Sequence, residues 1–320
     1  VTLLLNRSDL AWVLDVEVCL DALRRGFAAN QPAISPQRVR TNLPGPGTAT
    51  TLIPGLVDGV PAYTVKVNAK FPAAKPALRG VVCLHDLGSG ELLAVLDSAT
   101  VTAWRTGLAA ALGTDLLARP DADQVGVIGA GAQASLVVRG LARLRTIRRL
   151  VVCDLDGERA RTFGAPGLPA DLHAEVRAEV RAEPAAVAAE CGIVVLATWS
   201  RTPLLSRSEV PAGRHLTSLG ADEPGKVELA ADLLRSSRVI VDDVHLAAAA
   251  GALGNAGLGP EHATGTMADL IAGRLAGRVS PHDITVYAPV GLPWQDLAVS
   301  WVAYQRAREL DIGTPYDWLG

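Results

Sequence analysis

What the chain has little of narrows its class first. Four cysteines (Cys19, Cys83, Cys153 and Cys191) are scattered over 320 residues, with no CxxC and no Cys/His pair at zinc spacing. Disulfide frameworks belong to short secreted chains, so these read as reduced thiols. The six histidines (His85, His173, His215, His245, His262 and His282) show no metal-ligand spacing either. All six read as structural, and no metal is expected. Cations are not in excess: 30 Lys and Arg stand against 33 Asp and Glu, a net charge of −3. Nucleic-acid binding needs a basic surface, so that class drops out. No uncharged apolar run reaches membrane-spanning length, and the apolar start ends at Asn6-Arg7, too early for a signal peptide. The expectation is a cytoplasmic protein that meets neither membrane nor nucleic acid.

What is present suits a two-domain soluble protein. A hydrophobic fraction of 49% provides for large cores, 20% charged residues cover the surface, and 320 residues exceed one typical core. Residues 8 to 29 read as helix, with Ser8 and Asp15 as caps and Val18, Leu23 and Phe27 at helical spacing. Short β-rich pieces broken by glycine and proline follow, to about residue 97. Two apolar runs around Gly88-Ser89-Gly90 predict a hairpin over 81–97. A long amphipathic helix is predicted over 98–118, with Val101, Trp104, Leu108, Leu112 and Leu116 along one side and Arg119-Pro120 as its stop.

From Gln124 the pattern turns α/β. Apolar runs at 125–128, 150–153, 193–197, 216–219, 238–241 and 284–287 are candidate parallel strands between alanine-rich helical segments. A last helix, about 293 to 310, carries Trp294, Leu297 and Trp301 at spacings of three and four. The fold class expected is α/β: a Rossmann-type dinucleotide-binding domain over 119–291 beside an α+β domain over 1–118. The carboxy-terminal helix, within 292–320, is expected to return to the first domain.

The glycine loop is the sharpest local signal. Val125-Gly126-Val127-Ile128 runs into Gly129-Ala130-Gly131-Ala132-Gln133-Ala134, a GxGxxA pattern between a strand and a helix. Glycine at 129 makes the turn, glycine at 131 lets backbone amides reach a pyrophosphate, and the helix amino terminus stabilises its charge. A second run, Leu150 to Cys153, ends at Asp154, where the ribose-binding acid belongs. A carboxylate there accepts hydrogen bonds from the ribose 2′-hydroxyl and repels a 2′-phosphate, and no arginine immediately follows it. NAD is therefore expected over NADP.

Several separated motifs, in order, resemble the ornithine cyclodeaminase/mu-crystallin family. They are Arg105-Thr106-Gly107 in the long helix, the loop at 129–134, and the run from Gly220-Ala221-Asp222-Glu223 through Pro224-Gly225-Lys226-Val227 to Glu228-Leu229. Arg38 in Pro36-Gln37-Arg38, Lys66, the 81–97 hairpin and Val241-Asp242-Asp243 also fit, so the similarity runs from about residue 8 to 316. The resemblance implies a homodimer built through the amino-terminal domain, which would also bind substrate, with the active site between the domains. It implies that Arg38, Lys66 and Arg105 surround a substrate carboxylate, with Lys66 and Asp222 catalytic and Asp222 the acid/base group. It implies cofactor contacts from Arg105, Thr106, Gly129, Ala130, Gly131, Ala132, Gln133, Asp154, Thr198 and Lys226.

Those residue types suit the chemistry. Oxidising an amino acid at Cα creates an iminium beside a carboxylate. Guanidinium and ammonium groups grip the carboxylate, and a nearby carboxylate steadies the cation and moves a proton. Asp222 follows the run Leu216 to Leu219, so it belongs at the carboxyl end of a strand, where open parallel sheets bind ligands. Singly, Arg38 and Arg105 would read as solvated arginines and Asp222 to Gly225 as a surface turn. Their joint occurrence is what selects them.

The chain also departs from the family pattern. Ornithine-using members carry a glutamate three residues before the proline, at the head of a Glu-Leu-Met-Pro-like segment. Here the stretch is Thr51-Leu52-Ile53-Pro54, and a hydroxyl does not pair with an ammonium as a carboxylate does. Gly80 and Pro289 stand where a threonine and a serine are expected. Three functions stay open: an NAD-dependent amino acid dehydrogenase or cyclic imine reductase, an ammonia-releasing cyclodeaminase that does not consume NAD, and a non-enzymatic carboxylate-binding protein. Intact Asp222 and Lys226 weigh against the third, and Thr51 against ornithine as substrate in the second.

Overall fold

The computed structural model describes residues 1–29, 38–44, 47–71, 73–74, 76–163 and 178–318. Pro36 and Gln37, beside Arg38, and His173 lie outside them. The chain divides into two compact units, residues 1–106 with 292–320 and residues 107–291.

The first unit is built on a seven-stranded sheet. Its strands are β1 (Thr2–Leu5), β2 (Arg38–Asn42), β3 (Thr48–Gly55), β4 (Ala62–Lys70), β5 (Leu78–Asp86), β6 (Leu92–Asp97) and β15 (Thr314–Tyr316). They lie in the order β15-β1-β6-β5-β4-β3-β2. Strands β2 to β6 form an antiparallel meander. The β5–β6 turn is the hairpin expected around Gly88-Ser89-Gly90, where Asp86 accepts hydrogen bonds from the amides of Gly88 and Ser89. The amino-terminal helix is two helices, Arg7–Val13 and Val16–Ala28. Asn6, not Ser8, caps the first, while Asp15 caps the second by accepting from the Val18 amide. The break turns Val18 outward to 42% exposure and leaves Leu23 and Phe27 buried.

The carboxy-terminal helix, Pro293–Leu310, packs against Val16–Ala28 and strands β3, β4 and β5. Its first turns are buried on every side, polar residues included: Gln295 and Asp296 are each 1% exposed. The long helix, Ser98–Leu117, is likewise not amphipathic. From Val101 to Thr114 only Ala103 and Thr106 escape full burial, while Leu116 is half-buried. Alanine, glycine and threonine fill the faces that larger side chains would keep apart.

The second unit is a parallel sheet of eight strands: β7 (Gln124–Ile128), β8 (Arg149–Cys153), β9 (Ala178–Val180), β10 (Ile193–Leu196), β11 (His215–Ser218), β12 (Arg238–Val241), β13 (Gly265–Thr266) and β14 (Thr285–Tyr287). The order is β13-β12-β14-β11-β10-β7-β8-β9. All six apolar runs are strands. Strands β9 and β13 carried no such run, being three and two residues long at the sheet edges. The strand order reverses between β7 and β10, and ligands of doubly wound sheets bind outside the carboxyl ends of the strands at such a reversal. His215 lies within this core, its ring nitrogens 3.0 Å from Thr285 Oγ1 and 2.9 Å from Thr217 Oγ1. Burial, with Arg278 and Arg145 adding to it, pushes its pKa down to about 3, so it is a neutral structural residue.

Candidate active site

Three clusters hold the residues singled out from the sequence. The first lies in the amino-terminal unit. Arg38 pairs with Leu52 and Leu52 with Lys66, so the two cations belong to one cross-strand row and one face of the sheet. Lys66 is 1% exposed, and its Nζ lies 2.7 and 2.6 Å from the two carboxylate oxygens of Asp296 and 3.3 Å from Thr102 Oγ1. Arg105 Nε is 3.3 Å from the same carboxylate, and its NH1 donates to Gln295 Oε1 at 3.3 Å. Burial lowers the Lys66 pKa to about 7; Asp296 opposes that, and Arg105 and Arg38 reinforce it. A buried pair of this kind costs about 3–5 kcal/mol to break from one side, because the remaining charge is left unpaired.

Thr51 lies elsewhere. It pairs with Val39 and Val67, which are 51% and 45% exposed, so it belongs to the neighbouring row on the opposite face from Lys66. The argument against a diamino acid drawn from Thr51 therefore falls, because within this chain the position does not share a face with Arg38 and Lys66. Gly80 has a local reason for replacing threonine. Its φ is +154°, and a Cβ there would meet the Val67 carbonyl oxygen at 2.0 Å.

The second cluster is the glycine loop. Gly129 has φ +91°, and a Cβ on it would stand 2.6 Å from the Ala197 carbonyl oxygen, so glycine is required for the turn. The helix Ala132–Leu144 starts at Gly131 with no side-chain cap, and nothing lies within 4 Å of where a Gly131 Cβ would be. An uncapped helix start facing open space is what a pyrophosphate requires. Asp154 accepts hydrogen bonds from the Ala130 amide at 2.7 Å and the Asp156 amide at 2.8 Å, which fixes the acid against the loop. Arg159, unnoticed in sequence because it stands five residues on, folds back to 3.6 Å from Asp154 and 3.5 Å from Asp156. These groups fit a dinucleotide.

The third cluster lies beyond the ends of β10 and β11. Asp222 Oδ1 is 2.8 Å from Lys226 Nζ, which is also 3.7 Å from Glu223 and 4.9 Å from the centroid of the Trp199 ring. Asn255 clamps this turn by donating to the Glu223 carbonyl and accepting from the Gly225 amide. Thr198 meets the cluster through Glu228, which the motif contained but to which no role was given. Glu228 Oε1 accepts from the amide and hydroxyl of Thr198 at 2.7 and 2.8 Å, and Oε2 from Ser218 Oγ at 2.7 Å and the Gly220 amide at 2.8 Å. One buried carboxylate thus ties both strand ends to the Asp222 turn. In Val241-Asp242-Asp243, Asp242 accepts from the amides of Val290 and Gly291, and Asp243 caps the helix Val244–Ala250. Both are structural.

Asp296, Gln295, Glu228, Trp199 and Arg159 all escaped selection from the sequence. Gln295 and Asp296 carried no sequence signal, because the elements that bury the first turn of their helix are distant in the chain.

Comparisons with known proteins give the family. Residues 1–311 match the model of the ornithine cyclodeaminase/mu-crystallin family. An alanine dehydrogenase of Archaeoglobus fulgidus is 32% identical over 247 residues, 75% of this chain and 74% of its own length. An L-lysine cyclodeaminase of Streptomyces rapamycinicus is 30% identical over 337 residues, 98% of this chain and 94% of its own. The structure of Thermococcus litoralis Δ1-pyrroline-2-carboxylate reductase, in complex with NADH and L-proline, superposes with a TM-score of 0.89 at 25% identity, covering 98% of this chain and all of that one. A Rossmann-type dinucleotide fold joined to a second, α+β unit is the class defined here. The chain belongs to the ornithine cyclodeaminase/mu-crystallin family, and these relatives are enzymes.

Proposed function

We propose that this protein is an NAD-dependent oxidoreductase acting at the α-carbon of a small amino or imino acid, as an amino acid dehydrogenase or a cyclic imine reductase. The observation that carries the reading is the gathering of buried Lys66 and Arg105, two cations of the kind that grip a carboxylate, around the carboxylate of Asp296. NAD, the dinucleotide in the reductase complex, supplies the hydride acceptor or donor when bound. The uncapped amides at Gly131 to Gln133 would hold its pyrophosphate, Asp154 its ribose, and Arg105, Thr106, Gly129, Ala130, Thr198 and Lys226 the rest. Lys66, Arg105 and Arg38 orient the substrate by its carboxylate. Asp222, with its charge balanced by Lys226, takes the proton from the amine in one direction and returns it in the other.

A cyclodeaminase is the second reading, supported by the lysine cyclodeaminase's 98% coverage and by the withdrawal of the Thr51 argument. There Asp222 would take a proton from the attacking amine, ammonia would leave, and the hydride would return. A homodimer through the first unit is also proposed. Val39, Val67 and Val81 lie in one cross-strand row, with Thr51 between the first two, and are 51%, 45% and 40% exposed, a mostly apolar stripe suited to a second copy.

The test is a panel: amino acids with NAD, and keto or cyclic imino acids with NADH, while reduced cofactor and ammonia are followed together. A change in reduced cofactor supports the oxidoreductase. Ammonia without net cofactor change supports the cyclodeaminase. Silence in both channels overturns the enzyme reading in favour of a carboxylate-binding protein.

A further inference from the structure

The cations assigned to the substrate carboxylate are held by two residues of the carboxy-terminal helix. Asp296 chelates the Lys66 ammonium with both oxygens and takes the Nε edge of Arg105 on one of them. Gln295, its neighbour, takes NH1 of Arg105 on Oε1. That assignment leaves the Gln295 amide nitrogen buried, in a side chain 1% exposed, with no hydrogen-bond partner among the described residues. A buried NH2 without an acceptor is costly, and an incoming carboxylate is an acceptor that would relieve it. Both residues lie in the first turn of the helix, whose amino terminus favours the Asp296 charge.

We propose that Asp296 and Gln295 are the positioning pair of the carboxylate site: Asp296 fixes the Lys66 ammonium and the Nε edge of Arg105, and Gln295 steadies Arg105 while presenting its amide nitrogen to the substrate carboxylate. This rests on the carboxylate-gripping role of Lys66 and Arg105 proposed above. The groups that face Lys66 are Asp296 from the terminal helix, Arg105 and the Thr102 hydroxyl from the long helix, and Arg38 from β2. Asp296 is the anion among these described groups. Two arginines and burial all drive the proton off Lys66, so the carboxylate that opposes them decides whether an ammonium is present near neutral pH.

The experiment measures KM and kcat against pH for Asp296→Asn, Asp296→Glu and Gln295→Met, using a cyclic imino acid with NADH or an amino acid with NAD from the panel. In parallel, Lys66 is titrated by NMR on protein labelled at lysine Cε, with Lys66→Met for assignment. Wild type should lose substrate affinity as pH rises through about 7. Asp296→Asn should move that limb, and the Lys66 titration, acidward by roughly one unit or more, and raise KM about tenfold at pH 7.5 with kcat changed much less. Asp296→Glu should restore the limb but not all of the affinity. Gln295→Met should raise KM roughly fivefold with the limb unmoved. A merely structural role would lower thermal stability without displacing the limb.

Wild-type KM and an unmoved limb in folded Asp296→Asn would overturn the proposal. Should that variant not fold, unchanged KM in both Asp296→Glu and Gln295→Met would do the same. If wild type is inert to the whole panel, the functional reading falls by itself. The Lys66 titration then decides the pairing alone, and an unshifted Lys66 in Asp296→Asn counts against it.

Discussion

At the scale of single residues, the site is a set of charges whose partners are known. Asp222 stands half-exposed against Lys226, so its loss should remove chemistry and leave the fold alone. Asp222→Asn is expected to lower kcat by about 10²-fold or more, while NAD binding, followed by quenching of tryptophan fluorescence, stays within roughly twofold. Near-normal turnover would take Asp222 out of the mechanism. Asp154 is a sharper case, because it accepts from the amides of Ala130 and Asp156 and, in the role proposed for it, would repel a 2′-phosphate. With Arg159 already within 3.6 Å, Asp154→Ser should bring NADP to within about tenfold of NAD in kcat/KM, as the repelling charge goes and a cation remains. A variant that still rejects NADP would mean that shape, not charge, sets the choice.

At the scale of elements, the clearest device is Glu228, which joins the ends of β10 and β11 to the turn bearing Asp222. Glu228→Gln replaces an acceptor oxygen with an NH2 facing existing donors, and should cost about 2–4 kcal/mol in chemical denaturation. Burial raises the Glu228 pKa above its ordinary 4.5 despite four hydrogen bonds. The folded state therefore holds a proton that the unfolded state has lost, so this contribution is full below 4.5 and declines as pH rises through the folded pKa. The Gln variant should lack that decline. The same element shows what a linear pattern can and cannot disclose. The glycine loop, the acid at the end of β8 and all six buried strands were legible, because each rests on local rules of turn geometry and apolar run length. Asp296 was not. Its partner lies 230 positions away, and a polar residue at a helix start reads as solvated until the neighbouring elements are known to cover it. Ser8 was misread for a smaller reason: Asn6, two residues earlier, caps the helix with a reciprocal bond to Asp9. Thr51 was misjudged because strand register, which decides the face a side chain takes, is not written in one strand alone.

At the scale of the whole molecule, the exposed valine row is the feature a lone chain leaves unexplained. Val67→Lys, in the middle of that row, should convert the proposed dimer to monomer in sedimentation at micromolar concentration, because the ammonium would have to be buried in the interface. Sedimentation of the wild-type protein as a monomer would remove the dimer instead. The path of the chain has a further consequence, for synthesis. Every strand of the parallel sheet precedes residue 288, whereas Gln295 and Asp296, which anchor the cations of the first unit, come after it. All strands of the sheet are therefore made before the terminal helix, but Lys66 and Arg105 wait for a counter-ion 230 and 191 residues downstream. The unit translated first is completed last. A released chain that ends at residue 291 should accordingly show a protease-resistant fragment from the second unit and none from the first.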